Sequence, residues 1–123
     1  MEILFTVGAI SAGLAVALGA FGAHALKSRL PPQRLETFET GVRYQMYHAL
    51  ALLLAAFATT HWPGSDYPLF AGWLFILGTV LFSGSLYILT FSSRRQWGMV
   101  TPLGGVSFLA GWVCLAISAL QGL

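Results

Sequence analysis

Charged residues are scarce in this 123-residue chain, which is 8% charged and 57% hydrophobic and has a mean hydropathy of +0.77. A soluble domain carries about 25% charged residues. Six basic and four acidic side chains cannot cover a water-exposed surface on a chain of this length. The composition therefore predicts a membrane protein with the lipid bilayer as its main partner. It argues against a nucleic-acid-binding protein despite the net charge of +2, because the basic residues form no stripe.

Cysteine and the usual catalytic motifs are also almost absent. The single cysteine, Cys114, lies in an apolar run and excludes an intrachain disulfide. The sequence has no phosphate-binding loop, no HExxH, no CxxC and no nucleophile with a nearby base. We therefore expect a protein that is not an enzyme and that holds neither a metal nor another cofactor.

Four apolar runs are each long enough to span a bilayer. They cover about residues 3–25, 42–60, 68–91 and 98–120, and none has an acidic or basic residue in its interior. A spanning helix needs roughly 20 mostly apolar residues, and helices satisfy their backbone polar groups within lipid. The runs predict an all-α, four-transmembrane-helix bundle in which residues 1–123 form a single domain.

The basic residues occupy only the first and third connections between these runs. They are Lys27, Arg29, Arg34, Arg43, Arg94 and Arg95. Basic loops of membrane proteins face the cytoplasm, so both termini are expected outside. The first run resembles a signal peptide that ends at Ala23-His24-Ala25, but Glu2 replaces the expected basic start, and we expect the run to be retained.

The first connection carries its own helix signal. Pro31 and Pro32 suit the start of a helix. From there Leu35, Phe38 and Val42 recur at helical spacing and continue into the second run. This pattern predicts an amphipathic cytoplasmic extension of the second helix.

Polar side chains within or beside the runs form a candidate polar site. They are His24, Tyr44, Gln45, His48, Ser83, Tyr87 and Thr101. His24 and His48 are both expected near the cytoplasmic side, and Tyr44 and His48 are spaced to hydrogen-bond each other. Three interpretations remain open: hydrogen bonds that hold the bundle together, a proton or small-molecule site, and a metal or haem site. The first is favoured, because the histidines lie near the interface and a metal site needs more ligands.

Small residues recur on one face of several runs. The glycines predicted to pack against neighbouring helices are Gly8, Gly19, Gly22, Gly41, Gly84, Gly104, Gly105 and Gly111. Small residues let helix backbones approach closely in lipid, where packing replaces the hydrophobic effect.

Four phrases occur in order along the chain: LGAFGAHALK, ETFETGVRYQMYHALALL, LGTVLFSGSLYIL and TPLGGVSFLAGW. Together they resemble the YgdD-like family of small inner-membrane proteins, also called domain of unknown function 423, to which human transmembrane protein 256 is similar. The resemblance covers nearly the whole chain. It implies a four-helix membrane protein and no particular activity.

Two functions are consistent with these features. The first is a non-enzymatic accessory or scaffold protein of the bacterial inner (plasma) membrane, which packs against itself as a homo-oligomer or against a larger membrane complex. The second is binding or transport of a lipid, quinone or proton at the polar site around His24 and His48. The second hypothesis requires these side chains to converge in one cavity.

Overall fold

The computed structural model describes all 123 residues and is helical apart from short connections. Helix α1 covers Glu2–Phe21 and continues as one π-helical turn, Gly22–Leu26. Helix α2 covers Pro32–His61, α3 covers Tyr67–Phe91 and α4 covers Thr101–Gln121, with a short 3₁₀ helix at Arg95–Met99 before α4. The prediction of an all-α, four-helix bundle is confirmed.

Helix α2 contains both the predicted cytoplasmic extension and the second apolar run, residues 42–60, in one continuous helix. It begins at Pro32, as the paired prolines indicate, and is 30 residues long. At 1.5 Å per residue it measures about 45 Å, which exceeds a hydrocarbon thickness of about 30 Å. Part of α2 therefore has to lie outside the bilayer core.

Three helical segments are long and apolar enough to cross a membrane: Glu2–Leu26, Tyr67–Phe91 and Arg95–Gln121. Helix α2 is long enough but not apolar enough to be counted with them, so the prediction of four apolar spans is only partly matched. The reason lies in the packing, because Gln45 and His48 lower the hydropathy of α2 but are buried against other helices. A helix enclosed by neighbours does not need an apolar surface all round.

Successive helices run antiparallel and pack in the order α1–α2–α3–α4, with α2 also touching α4. Helices α1 and α4 do not pack extensively against each other, so α2 and α3 form the centre of an open bundle. The alternating direction puts all six basic residues at one end, which we call the basic end.

The core lies in the half of the bundle away from the basic end. It contains Leu4, Ala51, Leu52, Ala55, Ala56, Ala71, Phe75 and Phe108, all at most 4% exposed. Alanines on α2 let its neighbours approach closely, and the two phenylalanines fill the space between α2, α3 and α4. Burial of this kind supplies van der Waals packing, which is a main source of helix association in lipid.

Six of the eight predicted glycines face a neighbouring helix: Gly8, Gly19, Gly22, Gly41, Gly104 and Gly111. At Gly8 an added Cβ would lie 2.9 Å from the carbonyl oxygen of Ala49 on α2. The prediction is wrong for Gly84 and Gly105, because nothing lies within 4 Å of an added Cβ at either position. Gly84 follows Ser83 and Gly105 follows Gly104, and both preceding residues face a neighbouring helix. Successive residues of an α-helix point about 100° apart around the helix axis, so the following glycine points away from that neighbour.

We predict that Gly104→Ala lowers the free energy of unfolding by roughly 1–3 kcal/mol, the usual cost of overpacking. The added Cβ would meet the backbone of Phe82 on α3, which cannot move aside as a flexible side chain can. Gly105→Ala is the matched control, since its Cβ enters free space and alanine favours the helix. Thermal unfolding in detergent followed by circular dichroism measures both, and equal midpoints would contradict this account of the α3–α4 contact.

Candidate functional site

Gln45 on α2 joins three helices by hydrogen bonds. Its Nε2 donates to the backbone oxygen of Ser11 on α1 at 2.9 Å. Its Oε1 accepts from the hydroxyl of Tyr87 on α3 at 2.6 Å. Gln45 is only 6% exposed, and both ends of its amide have partners on other helices. The residue therefore links the centre of the bundle to α1.

A second contact between α2 and α3 lies one turn towards the basic end. The Ser83 hydroxyl donates to the backbone oxygen of Gly41 at 2.6 Å, with Ser83 fully enclosed. The ring of Tyr87 lies directly over Gly41, where a Cβ would clash with it. Glycine at position 41 thus admits both the hydrogen bond and the tyrosine ring that reaches Gln45.

His48 connects α2 to α4. Its Nε2 lies 3.1 Å from Nε1 of Trp112, and its Nδ1 lies 2.9 Å from the backbone oxygen of Tyr44. The indole N–H can only donate, so we assign His48 as the neutral tautomer with the proton on Nδ1. The Tyr44 partner is therefore its carbonyl, not its side chain as the spacing had indicated. The imidazole also stacks on Phe108, with ring centroids 3.5 Å apart.

Hydroxyl groups hold α3 and α4 together. Ser85 and Thr101 share a hydrogen bond at 2.5 Å between their side-chain oxygens. Ser107 on α4 donates to the backbone oxygen of Leu74 on α3 at 2.6 Å. No buried side-chain nitrogen or oxygen is left without a hydrogen-bond partner.

The predicted polar residues thus separate into three groups. Five of them belong to hydrogen bonds between helices: Gln45, His48, Ser83, Tyr87 and Thr101, the last through its bond to Ser85. Tyr44 is 37% exposed, and its hydroxyl makes no hydrogen bond. His24 is exposed in the π-helical turn after α1, whereas His48 faces α4 on the far side of α2.

The two histidines therefore do not form a ligand pair. Both ring nitrogens of His48 are engaged within the bundle, which leaves none for a metal, a haem iron or a relayed proton. No group of three or more His, Cys, Asp or Glu side chains lies close enough to hold a metal ion. The arrangement of these residues serves to join helices.

Trp112, Ser11 and Ser107 are the contributors that sequence reasoning left out of the polar site. Trp112 stands in the last of the four quoted phrases, and Ser107 lies among the small residues of α4. Ser11 supplies only its backbone oxygen, and no side-chain pattern can reveal such a role. The pairing of Trp112 with His48 depends on α2 meeting α4, which helical periodicity does not determine.

The hydrogen-bonded side chains around Gln45, His48 and Ser83 form what we call the polar layer. An open apolar groove lies beside this layer, between α2 and α4. Its volume is about 470 Å³, and it is lined by Tyr44, His48, Phe82, Phe108 and Trp112 together with small and aliphatic residues of α4. The face of the His48 ring contributes to its wall, while the Tyr44 hydroxyl is free of partners. The groove can accept an apolar or aromatic group.

We predict that Tyr87→Phe lowers the free energy of unfolding by about 1 kcal/mol, because it leaves the buried Oε1 of Gln45 without a donor. Tyr44→Phe is the matched control and should change stability by less than about 0.5 kcal/mol, because its hydroxyl has no partner. Unfolding by sodium dodecyl sulfate titration measures both. A Tyr44→Phe variant as unstable as Tyr87→Phe would refute the role assigned to the Gln45 bridge.

Comparison with known proteins gives a consistent family assignment. The family model described as "Protein of unknown function (DUF423)" matches residues 18–105. The chain is 46% identical to UPF0382 membrane protein YwdK of Bacillus subtilis over 98% of both chains. It is 46% identical to UPF0382 inner membrane protein YgdD of Escherichia coli K12, over 92% of this chain and 86% of the relative. No solved structure matches. The chain belongs to the DUF423 family of membrane proteins, whose function is unknown.

Proposed function

We propose that this protein is a non-enzymatic accessory or scaffold component of the bacterial plasma membrane, which acts by binding other membrane proteins or a second copy of itself. The hydrogen bonding of the interior supports this proposal. Every buried side-chain nitrogen and oxygen has a hydrogen-bond partner, and Gln45, His48 and Ser83 use theirs to join helices. The interior therefore offers no free group for acid–base or nucleophilic chemistry. Binding is then expected on the outer surface.

Outward-facing glycines are the observation that carries the proposal. Gly13 on α1 and Gly84 on α3 have no atom within 4 Å of an added Cβ. Glycine within a helix costs roughly 0.5–1 kcal/mol relative to alanine, and no contact inside this bundle offsets that cost. Small residues on the outside of a transmembrane helix allow another helix to approach closely. These two positions are suited to contact with a partner helix.

The test is native mass spectrometry of the protein extracted from its own membrane in mild detergent. We expect an assembly heavier than the 13.2 kDa chain. The double variant Gly13→Leu, Gly84→Leu should weaken the association constant of that assembly about tenfold. A loss of about 1.4 kcal/mol of contact free energy corresponds to a tenfold change in affinity. Val16→Leu with Val80→Leu is the matched control, because both valines are already large and exposed on the same helices.

The proposal fails if the parent protein is a single 13.2 kDa chain that carries no other protein. It also fails if the glycine and valine variants lose their partners equally. Unfolding midpoints of all variants show whether the bundle itself is intact, and we expect them to agree because both glycine substitutions enter free space.

A second candidate function is binding of a lipid or quinone in the groove between α2 and α4. The unpartnered hydroxyl of Tyr44 beside an apolar, aromatic wall favours it. The position of His24 does not favour this second function, because His24 does not line the groove. In the same mass spectra, a bound small molecule that is lost on Tyr44→Phe would favour this second function over a scaffold.

The orientation of the bundle is part of the proposal: the basic end faces the cytoplasm and both termini face outwards. The positive-inside rule supports it, because the turn between α2 and α3 carries no lysine or arginine. In a Cys114→Ser background, a membrane-impermeant maleimide should label Gly64→Cys in intact cells. It should label Ser28→Cys, at the basic end, only after lysis. The reverse pattern would invert the orientation.

A further inference from the structure

A polar pocket of about 710 Å³ lies at the basic end, between the first turns of α2 and the last turns of α3 with the loop that follows. Its lining includes Arg34, Arg95, Ser92, Ser93 and Glu36. None of these residues takes part in the polar layer around Gln45. The pocket is thus a separate feature at the expected boundary between lipid and water.

The two arginines come from different elements and leave most of their donors free. The Arg34 guanidinium reaches from α2 to the backbone oxygen of Thr90 on α3, at 3.4 Å. One such bond leaves four of its five N–H groups available. Arg95 is exposed, and its guanidinium makes no hydrogen bond within the protein. Guanidinium groups bind phosphate oxygens by paired hydrogen bonds, and serine hydroxyls can add further donors.

The charge of the pocket indicates which anion it suits. The lining includes two arginines and one glutamate, so it carries one net positive charge. A phosphodiester carries one negative charge and matches this lining. A phosphomonoester, with nearly two negative charges at neutral pH, would leave an excess of negative charge in the occupied pocket.

The pocket also has an apolar side. Leu86 and Leu89 on α3 line it, and both belong to the apolar span Tyr67–Phe91. A ligand there meets cations and hydroxyls at one side and aliphatic carbon at the other. A phospholipid has this arrangement of groups, whereas a free phosphate ion has no part that would use the leucines. Basic pockets between helices at a membrane surface bind lipid headgroups in this way.

We propose that this pocket binds the headgroup of an anionic phospholipid with a single phosphodiester, such as phosphatidylglycerol, between Arg34 and Arg95. Ser92 and Ser93 donate to the remaining phosphate oxygens, and Leu86 and Leu89 contact the acyl-glycerol part. The bound lipid joins the start of α2 to the end of α3. The site is independent of the outward glycines, so it stands whether or not the scaffold function is correct.

The test is native mass spectrometry of delipidated protein in detergent, titrated with phosphatidylglycerol or with phosphatidylcholine. The choline lipid has the same phosphodiester but a compensating ammonium group, and we expect it to bind about tenfold more weakly. Arg34→Gln with Arg95→Gln should weaken phosphatidylglycerol binding at least tenfold, since a hydrogen bond to a charged group is typically worth more than a neutral one. Arg95→Gln alone should show part of this loss in a protein whose internal hydrogen bonds are unchanged.

Lys27→Gln with Arg94→Gln is the matched control, because it removes two positive charges from the same end but none from the pocket lining. It should keep phosphatidylglycerol affinity within about twofold of the parent, as expected for charges that make no contact with the lipid. An equal loss in this control, or no loss in the arginine variants, overturns the proposal. Displacement of the lipid by millimolar inorganic phosphate also overturns it, and would identify the pocket as a site for a soluble anion.

Discussion

The satisfaction of polar groups inside the bundle is the constraint on which the rest of the structure depends. Without water, a buried amide or imidazole has to find hydrogen-bond partners within the protein or pay the full cost of desolvation. Gln45 meets this requirement with Ser11 and Tyr87, and His48 meets it with Trp112. Both residues belong to α2, so α2 has to lie where it can reach all the other helices. Its central place in the bundle follows from its polar side chains.

The bundle divides into two layers with different sources of stability. Away from the basic end, alanines of α2 allow close approach, and Phe75 and Phe108 fill the space between helices. Towards the basic end, specific hydrogen bonds fix which side chains meet. Small residues can pack in many rotations of a helix about its axis. A hydrogen bond such as that from Tyr87 to Gln45 forms in only a few of these rotations, because its distance and angle are restricted. The polar layer thereby selects one arrangement from those that the apolar layer would accept.

The outer surface differs from the interior in having polar groups and open positions that make no contact within the bundle. The interior polar groups are fully occupied, while the groove beside His48, the open positions at Gly13 and Gly84, and the arginine pocket are all accessible from lipid or from the interface. The three features lie on different parts of the molecule. The proposed contact with a partner helix and the proposed headgroup pocket therefore use different residues.

The sequence by itself determined the helices, their order and the end at which the basic residues gather, because apolar run length and local charge depend only on neighbouring residues. It also identified Gln45, His48, Ser83 and Tyr87 as unusual polar residues for a membrane bundle. Only the tertiary structure decided that His48 pairs with Trp112 while His24 stays exposed, and that Gly104 packs while Gly105 does not. Helical periodicity describes which residues share a face, but the neighbour that covers a face is set by how all four helices pack together.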